Sequence, residues 1–218
     1  MYRYNAGMNS LSQRLGIFGG TFDPIHFGHL ALARALRETF ALPQVRLIPT
    51  GLPPHRDAPP VSPQQRFELV QLALAGEPGL VADDREIRRS GYCYTIDTLA
   101  EIQRENPQAV LVWLIGGDSF LNLQTWRRWR ELLDAGHMVV AARPGFDFSA
   151  LPSDLAEEFA VRTVLASPGT AEKGRISVLP TPLLPFSSTE IRARIARGED
   201  VAALTPVADA IHRAGFYR

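Results

Sequence analysis

Short apolar segments alternate along the chain with longer segments whose apolar residues recur at helical spacing. The short segments end in glycine, proline or aspartate, as buried strands of a parallel sheet do. The predicted strands are residues 15–20, 45–49, 79–83, 109–115, 137–142 and 176–179. The predicted helices are residues 28–40, 62–74, 94–105, 188–197 and 201–213. This alternation predicts an α/β fold with a mainly parallel sheet flanked by helices and a small helical portion at about 187–218.

The spacing of these elements shows no internal repeat and no linker that would divide the chain. We therefore expect a single domain over residues 15–218, preceded by a flexible leader of residues 1–14. At the start of the 62–74 helix, Ser62 is placed to be the N-cap. Pro63 would take the first helical position, and Gln65 would close a capping box.

Composition and charge narrow the functional class. The 218 residues have a formal net charge of zero, so the chain as a whole has no field suited to a nucleic-acid backbone. No apolar run is long enough for a membrane span, so no membrane partner is expected. Cys93 is the single cysteine, which excludes an intramolecular disulfide and favours a reducing, cytoplasmic compartment. Any anion must be bound by local donors.

The segment GGTFDPIHFGH, residues 19–29, has the chemistry of a phosphate site. Gly19 and Gly20 lack a Cβ and would let a phosphate approach the backbone where the first strand ends. The helix that follows offers free N–H groups and the positive end of its dipole. His26 and His29 are three residues apart, which places both imidazoles on one side of a helical turn, and Gly28 leaves room between them.

Other interpretations of this segment stay open or are excluded by the residues. A metal site would use both histidines and need a third ligand, for which Asp23 is the nearest candidate. The two histidines could also be ordinary core or surface residues. A dinucleotide-binding dehydrogenase requires G-x-G-x-x-G and an acidic residue at the end of the second strand, and neither is present. The P-loop pattern is absent as well.

The GGTFDPIHFGH segment resembles the (T/H)-x-G-H motif of the nucleotidyltransferase superfamily, and its full form is similar to that of the bacterial nicotinate-nucleotide adenylyltransferases. The resemblance continues through four further segments, from the second predicted strand to the C-terminal part of the chain. They are residues 53–56 (PPHR), 90–95 (SGYCYT), 115–118 (IGGD) with Trp126 eight residues on, and 187–192 (SSTEIR).

This resemblance implies a Rossmann-like fold and transfer of AMP from ATP to nicotinate mononucleotide, with Mg²⁺ held mainly by the ATP phosphates. His26, His29 and Arg192 would be the catalytic residues. The residues implied for ATP are Gly19, Gly20, Thr21, Phe22, His26, Gly28, His29, Gly116, Asp118, Ser188, Thr189 and Arg192. The residues implied for nicotinate mononucleotide are Arg56, Tyr94, Thr95, Asp118, Trp126 and Arg143. The alternatives are another nucleotidyltransferase, such as pantetheine-phosphate adenylyltransferase, and a non-catalytic nucleotide-binding module.

Several of these residues have a plausible structural role beside the functional one. Ser188 or Thr189 could be the N-cap of the helix that carries Arg192, and Asp118 could cap the helix after its strand. Trp126 could stack on a pyridine ring, but a tryptophan pair three residues apart, with Trp129, would fit one face of a core helix.

Two questions about cations stay open, one about Arg56 in the loop after the second strand and one about the carboxylate of nicotinate. Arg56 stands where the family more often has lysine, and its forked guanidinium is a different donor from an ammonium group. No lysine or arginine is assigned to the nicotinate carboxylate. Backbone N–H groups near Thr95 could serve, and the choice between nicotinate and nicotinamide stays open.

Overall fold

The sheet has six strands, all parallel, in the order β3-β2-β1-β4-β5-β6. The computed structural model describes residues 14–52, 60–143, 145–179 and 186–218. Its strands are β1 (Arg14–Gly20), β2 (Val45–Pro49), β3 (Leu80–Ala82), β4 (Val110–Gly116), β5 (His137–Ala141) and β6 (Ile176–Val178). The prediction of a mainly parallel α/β fold is confirmed.

Helices connect the strands and cover both faces of the sheet. They are α1 (Phe27–Thr39), α2 (Pro63–Ala73), α3 (Arg85–Arg88), α4 (Thr95–Glu105), α5 (Gly117–Leu121), α6 (Trp129–Asp134), α7 (Ser153–Arg162), α8 (Ser188–Ala196) and α9 (Ala208–Ala214). Short 3-10 turns lie at Leu123–Thr125 and Phe148–Ala150. No helix in the part of the chain that the structure describes is long and apolar enough to cross a membrane.

Successive side chains of the central strands point to opposite faces of the sheet and divide the apolar core into two layers. In β4, Val112 and Leu114 pack with α1, α2 and α9, whereas Trp113 and Ile115 pack with α4, α6 and α7. Successive side chains of a strand point to opposite faces, so a continuous apolar run is what a strand covered on both faces needs.

The strand order reverses between β1 and β4. The chain passes from β1 outward to β2 and β3, and returns through α4 to β4 on the other side of β1. In such sheets the crevice beyond the carboxyl ends of the two neighbouring strands is where ligands bind. Gly20 ends β1 and Gly116 ends β4, so this crevice lies between two of the predicted nucleotide segments.

The predicted elements differ from the observed ones at the start of the last helix and in several helices between the strands. The capping box of α2 is confirmed, with Ser62 and Gln65 bonded to each other's backbone N–H. The helix predicted at 201–213 begins only at Ala208, because Pro206 cannot continue a helix and disfavours helical geometry in the residue before it. Helices α3, α5, α6 and α7 are not among the five predicted ranges. Only one residue of α7, Leu155, is fully buried, so the helix has little apolar periodicity.

His137 is a fully buried histidine whose ring has a partner on each side. Its Nδ1 accepts the backbone N–H of Glu172 at 3.1 Å, and its Nε2 lies 2.9 Å from the Ser177 hydroxyl, which itself donates to the carbonyl of Val164. Burial lowers the pKa of His137 to about 4. The neutral ring therefore links β5 to β6 and to the segment before β6.

We predict that His137 makes the free energy of unfolding depend on pH. The unfolded chain takes up a proton near the ordinary pKa of 6.5, whereas the folded chain does so only near 4, so stability falls as the pH is lowered. Between pH 7.5 and 5.0 the loss from this residue should be about 2 kcal/mol. Urea unfolding of wild type and His137→Gln at both pH values measures it. An equal pH dependence in the two proteins would contradict the assignment.

Candidate active site

The turn between β1 and α1 is closed by two histidines that cap each other. His26 is the N-cap of α1, and its Nδ1 accepts the backbone N–H of His29 at 3.3 Å. The Nδ1 of His29 accepts the backbone N–H of His26 at 3.2 Å, and the two rings stack with centroids 3.7 Å apart. The prediction that the imidazoles lie together is confirmed, with a capping box as the cause.

This cap determines which nitrogen of each ring carries a proton. Because both Nδ1 atoms accept backbone N–H bonds, each neutral imidazole keeps its proton on Nε2. Burial lowers the pKa of His26 to about 4. The pKa of His29 is lowered by burial and further by its neighbour His26. At neutral pH the pair therefore offers two uncharged Nε2–H donors.

Glycines near the cap leave open space at the strand ends and let the ring of His26 take its position. A Cβ at Gly19 or at Gly116 would meet no atom within 4 Å, so both strand ends are open. A Cβ at Gly28 would lie 3.0 Å from the ring of His26, so glycine is needed there for the ring to occupy its position. Gly28 thus makes room for the histidine cap, a role that the sequence alone did not indicate.

The predicted ATP residue Phe22 has its side chain buried in the apolar core and not exposed to a ligand. Its ring is buried and meets the ring of His29 edge-on at 5.0 Å between centroids. Its φ of +48° is left-handed, which is strained for a residue with a bulky side chain. The turn reverses direction here, after Thr21 and before the cap.

The alternative of a metal site on this turn is not supported by the positions of the side chains. The Nδ1 atoms of His26 and His29 accept backbone bonds, and the Asp23 carboxylate accepts from the Tyr217 hydroxyl at 2.7 Å. Among the described residues there is no cluster of three or more histidine, cysteine or acidic side chains suited to a metal ion.

Helix α8 lies against this turn through two side chains. The Ser188 hydroxyl donates to the carbonyl of Pro24 at 3.0 Å, and Nη1 of Arg192 donates to the carbonyl of Asp23 at 2.7 Å. The alternative role of Ser188 or Thr189 as the helix cap is excluded, because Ser187 is the N-cap and accepts the backbone N–H of Glu190. Ser188 is thereby free of capping and joins α8 to the β1–α1 turn, residues 21–26, which we call the phosphate turn after its predicted role.

A buried arginine joins the loops that follow β1 and β2. Arg66 has no exposed surface, and its guanidinium donates to the carbonyls of Thr21 and, at 2.6 Å, Thr50. Its Nε donates to the carbonyl of Val61 at 3.3 Å. Burial lowers the pKa of Arg66, and the nearby Asp23 carboxylate opposes that shift. Arg66 thus fixes the position of one loop relative to the other at the edge of the crevice.

The predicted pyridine side of the site begins at α4. Tyr94 is the N-cap of α4 without a side-chain capping bond, and Thr95 is the first helical residue. The first N–H groups of a helix have no partner within it, so this end can receive an anion. The Arg127 guanidinium lies over the Tyr94 ring, 4.7 Å from its centroid. A cation therefore lies beside Tyr94, on the residue that directly follows Trp126, although none was predicted there.

The geometry of the remaining predicted residues corrects two interpretations. Trp126 and Trp129 do not share a helical face, because Trp126 has extended backbone after a 3-10 turn and α6 begins only at Trp129. Asp118 does not cap α5, whose N-cap is Gly116. The Asp118 carboxylate instead faces Arg143 at 3.9 Å, and both side chains are largely exposed. Arg56 lies outside the described residues.

Comparison with known proteins places this arrangement in a family. Residues 17–194 match the Cytidylyltransferase-like family. A probable nicotinate-nucleotide adenylyltransferase of Laribacter hongkongensis is 48% identical, over 94% of this chain and 94% of that protein. One of Chromobacterium violaceum is 45% identical, over 89% and 92%. The chain belongs to the nicotinate-nucleotide adenylyltransferase family.

A solved structure of the same family has the same fold at low sequence identity. The Plasmodium falciparum nicotinic acid mononucleotide adenylyltransferase complexed with NaAD superposes with a TM-score of 0.73 at 15% identity, covering 94% of this chain and 97% of that one. The likeness at this identity supports the fold.

Family motifs predicted the phosphate turn and α8 but missed the residues that hold them. Arg66, Asp23 as a partner of Arg192, and Tyr217 carry no local pattern, since each acts through a contact distant in sequence. Arg127 had an available signal, because it directly follows Trp126. Arg66, Arg192 and Tyr217 hold the β1–α1 turn against the loop after β2, against α8 and against the C-terminal segment.

We predict that Arg66→Lys lowers the free energy of unfolding by about 3 kcal/mol, because an ammonium group cannot serve carbonyls on both loops and leaves buried acceptors unpaired. Arg34→Lys is the matched control. Arg34 is half exposed and pairs with Glu77 at the surface, so its replacement should cost less than about 1 kcal/mol. Urea unfolding measures both. Similar small losses in the two variants would show that Arg66 does not join the loops.

Proposed function

We propose that this chain transfers the adenylyl group of ATP to nicotinate mononucleotide, giving nicotinate adenine dinucleotide and pyrophosphate in the biosynthesis of NAD. The observation that carries the proposal is the reciprocal histidine cap at the β1–β4 crevice, with Arg192 of α8 held against the same turn. Family membership supports the choice of acceptor. The single cysteine supports a cytoplasmic setting.

The reaction needs positioning and charge stabilisation more than proton transfer. The 5′-phosphate of the acceptor is largely ionised near neutral pH and can attack the α-phosphorus of ATP directly, with pyrophosphate leaving in line. The low pKa of His26 suits this step, because an imidazole that stays neutral in the free enzyme serves as an N–H donor. Fixed donors aimed at developing phosphate charge can supply much of the rate enhancement.

Neutral donors and charged donors would have different roles at the nucleotide. The Nε2–H groups of His26 and His29 would contact the triphosphate as dipoles, since the backbone N–H groups of His26, Phe27 and His29 already have partners within the protein. Arg192 would add the positive charge, together with the Ser188 hydroxyl. On the acceptor side, the N-terminus of α4 at Thr95 and the Arg127 guanidinium would face the pyridine carboxylate, and Trp126 would stack on the ring. Asp118 and Arg143 lie at the end of β4 and after β5, where the ribose and its phosphate would pass.

We further propose that Mg²⁺ enters with the nucleotide. The described residues contain no acidic cluster that would hold it, which fits an ion carried mainly by the phosphate oxygens. When bound, it would neutralise charge on the triphosphate. The proposed contacts of His26, His29 and Arg192 with the triphosphate do not require a protein ligand for this ion.

The experiment is a pyrophosphate-release assay with ATP and one acceptor at a time. Nicotinate mononucleotide should give the highest kcat/KM, nicotinamide mononucleotide a lower one, and pantetheine phosphate none. Preferred release with pantetheine phosphate would assign a different nucleotidyltransferase. Absence of release with every acceptor, in protein that binds ATP, would indicate a nucleotide-binding module and contradict the proposal.

We predict that His29→Ala lowers turnover by roughly 10²–10³-fold, the scale of losing one charge-stabilising donor. His212→Ala is the control, since His212 is exposed in the last turn of α9 and its ring is paired with Arg218. Steady-state pyrophosphate release measures both, and thermal unfolding checks that each variant is folded. Near-normal turnover in folded His29→Ala would remove this residue from the mechanism.

We predict that Arg127→Gln reduces discrimination between the two pyridine acceptors. The acid differs from the amide by one negative charge, so kcat/KM for nicotinate mononucleotide should fall about 10-fold while that for nicotinamide mononucleotide changes little. Arg130→Gln is the matched control, because Arg130 stacks on Trp129 at 4.4 Å in the same way. An equal fall for both acceptors would show that Arg127 does not select the carboxylate.

A further inference from the structure

Tyr217 contacts the phosphate turn from a position that lies outside every recognised motif. The Tyr217 hydroxyl donates to Oδ1 of Asp23 at 2.7 Å, across 194 positions of sequence. Asp23 is 5% exposed, so its carboxylate depends on protein groups for hydrogen bonds. Burial raises the pKa of the Tyr217 phenol, and the Asp23 carboxylate raises it further, so the hydroxyl stays a donor.

Arg192 stands on the other side of the same carboxylate without forming a full ion pair. Its Nη1 donates to the main-chain carbonyl of Asp23 at 2.7 Å but lies 3.6 Å from Oδ2. A charge-assisted N–H···O bond would measure about 2.7–2.9 Å. The guanidinium is therefore oriented by a neutral carbonyl, and its side chain keeps 33% of its surface exposed.

We propose that Tyr217 is a positioning residue for Arg192. By engaging one oxygen of Asp23, its hydroxyl holds the carboxylate back from a close ion pair and leaves the guanidinium available to the ATP phosphates. Without that hydroxyl, the buried carboxylate can turn to Arg192, whose Nη1 lies 3.6 Å from Oδ2, since the Arg66 guanidinium already donates to main-chain carbonyls. It would rotate onto the guanidinium and draw it away from the crevice. The inference rests on the proposed role of Arg192 toward ATP.

The first test is Tyr217→Phe, which removes one oxygen atom and keeps the ring. The Kd for ATP, measured by calorimetry without acceptor, should rise about 10-fold, and KM for ATP should rise with it. KM for nicotinate mononucleotide should stay within about 2-fold. Phe216→Leu is the matched control, because Phe216 packs on the core beside Tyr217 and is expected to lower stability without changing ATP affinity.

The second test separates positioning from packing. In Tyr217→Phe/Asp23→Asn the charge that would capture Arg192 is gone, so the Kd for ATP should return to within about 3-fold of wild type. A purely structural role for the hydroxyl predicts that the double variant is worse than the single one. If Tyr217→Phe alone does not fold, the double variant, which lacks the unpaired buried charge, is measured against wild type by itself.

The outcomes distinguish this inference from the proposed function. Wild-type ATP affinity in folded Tyr217→Phe, or a double variant that binds ATP 10-fold or more weakly than wild type, overturns the positioning role while leaving adenylyl transfer intact. Failure of wild type to release pyrophosphate with any acceptor overturns the proposed function. The ATP affinities would still report whether Tyr217 controls Arg192.

Discussion

The reciprocal cap between His26 and His29 is the interaction on which the rest of the site depends. Each histidine uses Nδ1 to complete the backbone of the first helical turn, so neither ring can change tautomer or rotate without breaking the start of α1. A phosphate site needs donors that are fixed before the ligand arrives, since reorganising them would cost part of the binding energy. Here the local rules of helix initiation supply that fixation.

The cap also decides how charge is distributed around the nucleotide. Buried imidazoles that stay neutral can lie against each other with ring centroids 3.7 Å apart, which two cations could not do in a low-dielectric setting. The positive charge near this turn is instead carried by the guanidinium groups of Arg66 and Arg192, which have different roles. Arg66 is enclosed by main-chain carbonyls and holds loops together, while Arg192 remains partly exposed at the crevice.

The sequence predicted those parts of the molecule whose signal is local. Continuous apolar runs identified β1, β2, β4 and β5, and the glycine and histidine pattern identified the turn, because strand burial and helix capping act over a few residues. The alternative that places Trp126 and Trp129 on one helical face is wrong. It assumed a continuous helix, whereas the backbone is extended at Trp126. The partners of Asp23 could not be predicted, because tertiary packing brings Tyr217 and Arg192 to it.

The contact between Tyr217 and Asp23 has a consequence for the order of events during synthesis of the chain. The β1–α1 turn emerges from the ribosome early, whereas its partners on α8 and at Tyr217 follow more than 160 residues later. A nascent chain can therefore build most of its parallel sheet with the phosphate turn still lacking its arginine and tyrosine neighbours. The contacts that orient Arg192 at the proposed nucleotide site can therefore form only after all six strands of the sheet have been synthesised.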